Sequence, residues 1–99
     1  KRVGKMLELE GGRQKLPFDG SGYFVYVRAE DVQIDDTGSL SGEVETITFL
    51  GTHYRIGIKG IIPNVLTSIF VGQRAPEIGS KIKVNIKPET LMLLPEGVA

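Results

Sequence analysis

Residues 20–34, GSGYFVYVRAEDVQI, and residues 79–93, GSKIKVNIKPETLML, align without a gap at a constant offset of 59, residue 20 falling on residue 79. Each copy opens on Gly-Ser, runs through an alternating strand, and reaches a cation, a small or cyclic residue, a Glu and a polar residue before returning to aliphatics. The corresponding pairs are Val27/Ile86, Arg28/Lys87, Ala29/Pro88, Glu30/Glu89, Asp31/Thr90, Val32/Leu91 and Ile34/Leu93. A doubled strand-turn-strand unit describes a compact all-β domain folded around two equivalent corners. It describes no chemistry by itself.

The rest of the chain supports that class. Thirteen glycines and five prolines punctuate short alternating runs, the pattern of strands and tight turns rather than helices. Val3, Leu7 and Leu9 alternate with Met6, Glu8 and Glu10, predicting one half-buried strand that Gly11-Gly12 ends. Leu16-Pro17-Phe18 reads as a short extended piece at an edge or loop, because Pro17 cannot donate to a ladder. Tyr23, Val25 and Val27 form an apolar face, and Phe24, Tyr26 and Arg28 a mixed one. Asp35 to Ser39 is a polar loop.

Leu40 to Lys59 reads as a hairpin with Gly51-Thr52-His53 at its tip and Tyr54, Ile56 and Ile58 facing inward on the return strand. On the outgoing strand Val44 is out of phase with Ile47 and Phe49, which predicts a β-bulge near Glu45-Thr46. Val65 to Val71 is rich in β-formers without clear alternation, as in a strand buried on both faces. Gly72 to Gly79 is a loop, and Ile82, Val84 and Ile86 then alternate with Lys81, Lys83, Asn85 and Lys87. A short turn at Glu30-Asp31 or Glu89-Thr90 is the most helix expected.

Composition limits function. With 99 residues, 40% of them hydrophobic, the chain forms one domain, burying about 60–70% of its unfolded surface. Twelve basic and twelve acidic residues cancel, so no global field attracts nucleic acid or acidic lipid. The absence of Cys excludes disulfides, thiolate metal sites and a Cys nucleophile. No apolar run approaches the roughly 20 residues of a membrane-spanning helix, no signal peptide is visible, and a start at Lys1 reads as a piece of something longer.

The candidate motifs favour structure over catalysis. Arg28 with Glu30, and Lys87 with Glu89, could be ligand or interface residues, but no third group completes a catalytic set, and a cation followed by a carboxylate is ordinary turn chemistry. His53 is the single histidine, so no multi-histidine metal site exists; with Tyr54 it marks the hairpin tip as a candidate surface. Asp35 and Asp36 with Glu43 or Glu45 match no calcium loop. The glycines form no G-x-x-x-x-G-K-[ST] phosphate loop. Single-strand nucleic-acid binding is weighed because small barrels pair aromatic platforms with basic grooves. Tyr23, Phe24, Tyr26, Phe49, Tyr54 and Phe70 supply rings and Lys81, Lys83 and Lys87 a row of charge, but most of the rings interleave with apolar positions that read as core, and neutral charge argues against it.

At Val27-Arg28-Ala29-Glu30-Asp31-Val32, followed by Gly42-Glu43-Val44, Phe49-Leu50-Gly51 with Tyr54, and the closing Gly79-Ser80-Lys81-Ile82-Lys83-Val84 ahead of Lys87-Pro88-Glu89, the chain resembles a transport-associated OB (TOBE) domain. The resemblance is good from about Tyr23 to Leu94 and weak before it. It implies an OB-like β-barrel over residues 1–99, the C-terminal accessory part of an ABC importer ATP-binding subunit. It further implies a cytoplasmic place at the inner face of the plasma membrane. The implied partners are a second subunit copy, the subunit's own nucleotide-binding domain and the permease, with neither nucleic acid nor direct membrane insertion. ATP and magnesium are implied for the absent nucleotide-binding domain, and no cofactor, metal or catalytic residue for this chain.

Two departures matter. Ala29 stands where the family's first corner has proline, so that turn is expected to be less rigid. The loop 36–42 lacks the Ser-Ala-Arg-Asn type sequence of molybdate-binding members, so oxyanion binding is not carried over. A solute-sensing module, with a ligand held between two barrels, is the alternative reading. On the cleanest strand, Val84→Asp is expected to prevent folding; an unchanged melting temperature would remove that strand from the core.

Overall fold

The computed structural model describes residues 2–3, 6–17, 23–72 and 74–95. Its strands are β1 (Arg2–Val3), β2 (Met6–Leu9), β3 (Gly12–Lys15), β4 (Tyr23–Tyr26), β5 (Gln33–Ile34), β6 (Leu40–Phe49), β7 (Tyr54–Lys59), β8 (Leu66–Phe70), β9 (Lys81–Asn85) and β10 (Met92–Pro95). Two 3₁₀ turns, Ala29–Asp31 and Pro88–Thr90, are the only helical segments among the described residues. Every pairing is antiparallel. Eight strands form one sheet, with β6 bonded to β3, β7 and β9 and β9 also to β5, while β4 and β10 form a separate two-stranded ribbon. The fold is all-β as expected, with its ladder interrupted on either side of that ribbon.

The two copies of the repeat do not close on themselves. β5, the second strand of the first copy, pairs with β9, the first strand of the second copy, through Gln33↔Asn85 and Ile34↔Val84. β10 reciprocates on β4 through Met92↔Tyr26 and Leu93↔Val25. Adding 59 to the first copy and subtracting it from the second turns one register into the other. The corners obey the same operation. Asp31 and Val32 donate their backbone N–H groups to Arg28 and Ala29 carbonyls at 3.0 and 3.3 Å, and Thr90 and Leu91 donate to Lys87 and Pro88 at 2.9 and 3.1 Å. Ala29 therefore makes the turn that Pro88 makes.

The core lies under β6, β7 and β9. Val32, Leu40, Val44, Ile56, Ile58, Ile61 and Val84 are essentially inaccessible, with Leu66 and Ile86 nearly so. Burying side chains of this type contributes about 1.5–3 kcal/mol each. Ser68, buried among them, donates its hydroxyl to the Val32 carbonyl, tying β8 to the first corner. The expected bulge is present: the β6/β7 register shifts between Val44 and Thr46, leaving Glu45 as the extra residue. That slip lets Val44 and Ile47 both face inward.

Three expectations are refined. Residues 3–10 form two strands rather than one, because Arg2 and Val3 pair back onto Leu7 and Met6; residues 4 and 5 lie outside the described set. The strand within Val65 to Val71 is buried at Leu66 and Ser68 but only half-buried at Thr67, Ile69 and Phe70, so only one of its faces meets the core. The extended Leu16 and Pro17 are not in a strand, and Leu16 is buried; Phe18 and the Gly20-Ser21-Gly22 opening lie outside the described residues.

Ile61 explains a glycine. It reaches the core between β3 and β6, and a Cβ on Gly42 would lie 2.9 Å from its Cγ1 and 2.6 Å from Ile58 Cγ2. Gly42→Ala is therefore expected to destabilise the domain by about 1–3 kcal/mol through overpacking, measured by urea unfolding. Equal stability in the variant would show that Ile61 is not held there.

Candidate functional site

The six residues singled out from sequence occupy three places. Arg28 precedes the first 3₁₀ turn and Glu30 lies within it, as Lys87 and Glu89 do at the second, and all four are exposed. None of them forms an ion pair among the described residues, where the pairs are Glu8–Arg13 and Glu43–Lys59. His53 and Tyr54 lie at the β6–β7 tip, half-buried. The His53 carbonyl accepts the Leu50 N–H at 2.8 Å, its Nδ1 lies 2.9 Å from Thr52 Oγ1, and Tyr54 packs against Phe49 with ring centroids 5.0 Å apart. The structure thus holds the candidates as parts of turns and does not gather them into one site. Among the described residues no cluster of three or more His, Asp or Glu side chains is placed to hold a metal ion.

Sequence reasoning missed a different feature, the outer face of the β4–β10 ribbon. Phe24 lies directly opposite Leu94, and Tyr26 opposite Met92, so the four side chains share one face. They are 43%, 51%, 47% and 38% exposed respectively. The inner face of the ribbon, Val25 and Leu93, is half-buried. Under the 59-residue offset the equivalent outward positions at β5 and β9 are Lys83 for Phe24, Asn85 for Tyr26, Gln33 for Met92 and Asp35 for Leu94. All four are polar. One ribbon geometry therefore occurs twice in the chain, and the fold evidently tolerates polar residues at each outward position. The β5–β9 pair carries polar residues there, with β9 also laddered to β6.

Between ribbon and main sheet lies a cavity of about 110 Å³, lined on one side by Val25, Val27 and Leu91 and on the other by residues that include Leu9, Gln14 and Ile86. Gln14 is buried, and its Nε2 donates to the carbonyls of Ile86 and Lys15, both at 2.9 Å. That amide joins β3 to the second corner across the gap where the ladder is broken.

A second concavity, of about 360 Å³, lies on the main sheet and is lined by Ser41, Gly42, Glu43, Lys59, Gly60 and Lys81. Glu43 is the register partner of Lys59 on one side and of Lys81 on the other. It makes its ion pair with Lys59, at 3.3 Å.

The Asp35–Ser39 loop is an Asx turn. Asp35 Oδ1 accepts the Thr37 N–H at 2.9 Å and the Thr37 hydroxyl at 2.8 Å; the backbone bond first, and the hydroxyl second, hold its carboxyl below the ordinary aspartate range. A depressed native pKa stabilises the fold above the unfolded-state pKa, and that contribution is lost as pH falls through the native value. Thr37→Val is expected to move the Asp35 titration upward, toward the ordinary range, in a carboxyl-detected NMR pH series. An unmoved midpoint would assign the depression to the backbone bond alone.

Comparison with known proteins adds the following. A family model described as TOBE domain matches residues 25–94. The chain is also similar to an uncharacterized ABC transporter ATP-binding protein, y4fO, of Sinorhizobium fredii (strain NBRC 101917 / NGR234), at 29% identity over 63 residues, which is 64% of this chain. The match spans 18% of that relative's length.

Proposed function

This chain belongs to the TOBE domain family, and on that premise we propose that it serves as a non-catalytic accessory module of an ABC importer's ATP-binding subunit. In this reading it steadies the subunit dimer and tunes ATP hydrolysis to solute import. ATP and magnesium are handled by the nucleotide-binding part of the parent polypeptide, since this chain has no phosphate loop. The module works at the cytoplasmic face of the membrane, against its own nucleotide-binding domain, a second copy of the subunit and the permease.

The observation that carries the reading is the apolar quartet Phe24, Tyr26, Met92 and Leu94, set where the equivalent ribbon has Lys83, Asn85, Gln33 and Asp35. Solvent would be the expected neighbour of the polar set; a protein surface suits the apolar one. Its size limits the partner. Four large side chains about half exposed offer on the order of 350 Å², against about 800 Å² per partner in a standard interface. Such a face holds little by itself but suffices where a covalent tether keeps the partner at high effective concentration. A nucleotide-binding domain on the same polypeptide meets that condition.

The duplicated unit supplies its own test. Replacing the quartet by its counterparts (Phe24→Lys, Tyr26→Asn, Met92→Gln, Leu94→Asp) is expected to leave the isolated module folded, with an unchanged far-UV spectrum. In the full-length subunit it is expected to release the module to limited proteolysis and to uncouple ATPase rate from solute supply. Undiminished protection and coupling in a folded variant would defeat the proposal.

A further inference from the structure

We propose that the concavity across β7, β6 and β9 is a binding site for the phosphate or carboxylate group of a small soluble molecule. The inference stands on this chain's own geometry and does not depend on the transporter reading. Three adjacent strands place Lys59, Glu43 and Lys81 in one row, because Glu43 is in register with both lysines. A carboxylate between two ammonium groups could be shared, but here it is committed to Lys59 at 3.3 Å. Lys81 makes no ion pair among the described residues and is exposed at the rim of the same hollow. The lining therefore carries two cations and one anion, an excess of one positive charge within a concave surface, where low-dielectric walls strengthen its field.

The remaining lining groups are suited to the same ligand. Gly60 has φ +89°, a conformation that favours glycine, and a Cβ built on it would meet nothing within 4 Å, so the hollow is open at that point. Gly42 would direct its missing Cβ into Ile58 and Ile61, so this part of the floor is backbone. Ser41, exposed and lining the same hollow opposite Lys83, brings a hydroxyl donor. An ammonium and a hydroxyl at the edge of open backbone make an anion cradle, and a volume of about 360 Å³ accommodates a ligand of metabolite size. A cationic ligand would meet two lysines for one carboxylate already engaged.

The test is an NMR titration of the folded chain with inorganic phosphate and, separately, acetate, at ionic strength held constant with chloride. Saturable shifts are expected at Ser41, Gly60 and Lys81. Lys81→Gln is expected to weaken binding about tenfold, the worth of one charge-assisted hydrogen bond. Glu43→Gln, which frees Lys59, is expected to tighten it by about threefold, the gain from removing one nearby like charge near the surface. Lys15→Gln, altering an exposed lysine on β3 that does not line the hollow, is expected to leave it unchanged. Equal losses for Lys81→Gln and Lys15→Gln would reduce the effect to diffuse charge and overturn the site, as would the absence of saturation. Vesicles containing phosphatidylglycerol form a further arm. Shifts produced by vesicles and not by phosphate or acetate would assign the surface to a membrane and overturn the small-molecule proposal.

Discussion

The structure depends on a reciprocal exchange. Each corner of the duplicated unit sends its second strand to the other copy's first strand, so neither copy is complete without its counterpart. The ladder bonds at Gln33↔Asn85 and at Met92↔Tyr26 join positions more than fifty residues apart in sequence. Non-local pairing of this kind is entropically expensive to initiate. It is stabilised by what it encloses: Val32 and Leu91 follow the two corners, and Val84, opposite Ile34, is fully buried. The long β6 strand then serves as a spine, binding β9 along one edge and β3 and β7 along the other.

Duplication also separates what the fold needs from what it does not. Inward positions of the two ribbons stay apolar in both copies, as Val25 with Leu93 and Val84 with Ile34 show. The turn tolerates Ala29 or Pro88 with the same backbone bonds, so the proline adds no backbone hydrogen bond. Its effect falls on the unfolded chain, whose freedom it restricts. Outward positions diverge completely in polarity. Divergence at positions of equal geometry is an internal comparison that a single strand pair could not provide.

Much of this was legible in the chain itself. The bulge at Glu45 follows from the slip between Val44 and Ile47, because a period of two leaves no other way for both to face inward. The 3₁₀ corners follow from the repeated cation-x-Glu-polar sequence. What periodicity cannot encode is the partner. An alternating strand states which residues share a face but not which strand lies beside it, so the exchange between copies became visible only in the fold. The outer quartet was hidden for that reason. Phe24 and Tyr26 read as a mixed face in sequence, and only opposite Leu94 and Met92 do they become a surface. Likewise Glu43, Lys59 and Lys81 belong to three different runs of sequence, and only registration across β6 makes them neighbours. The corner residues Arg28, Glu30, Lys87 and Glu89 attracted attention because they repeat, yet repetition there reflects the turn.

The two surfaces lie on separate sheets. Among the described residues no ladder bonds the ribbon to the main sheet, and Gln14, donating to the Ile86 carbonyl, joins β3 to the second corner beside the cavity that separates them. The hollow on β7, β6 and β9 instead has Gly42 in its floor, backed by the fully buried Ile58 and Ile61. Local opening requires the fewest broken contacts at elements with few bonds to the rest, which on the proposed reading makes the ribbon the part that adjusts to a partner. The three-strand row keeps its spacing while it does so. On the two proposals above, the module would hold a ligand geometry constant on the main sheet while the β4–β10 ribbon fits a neighbouring domain.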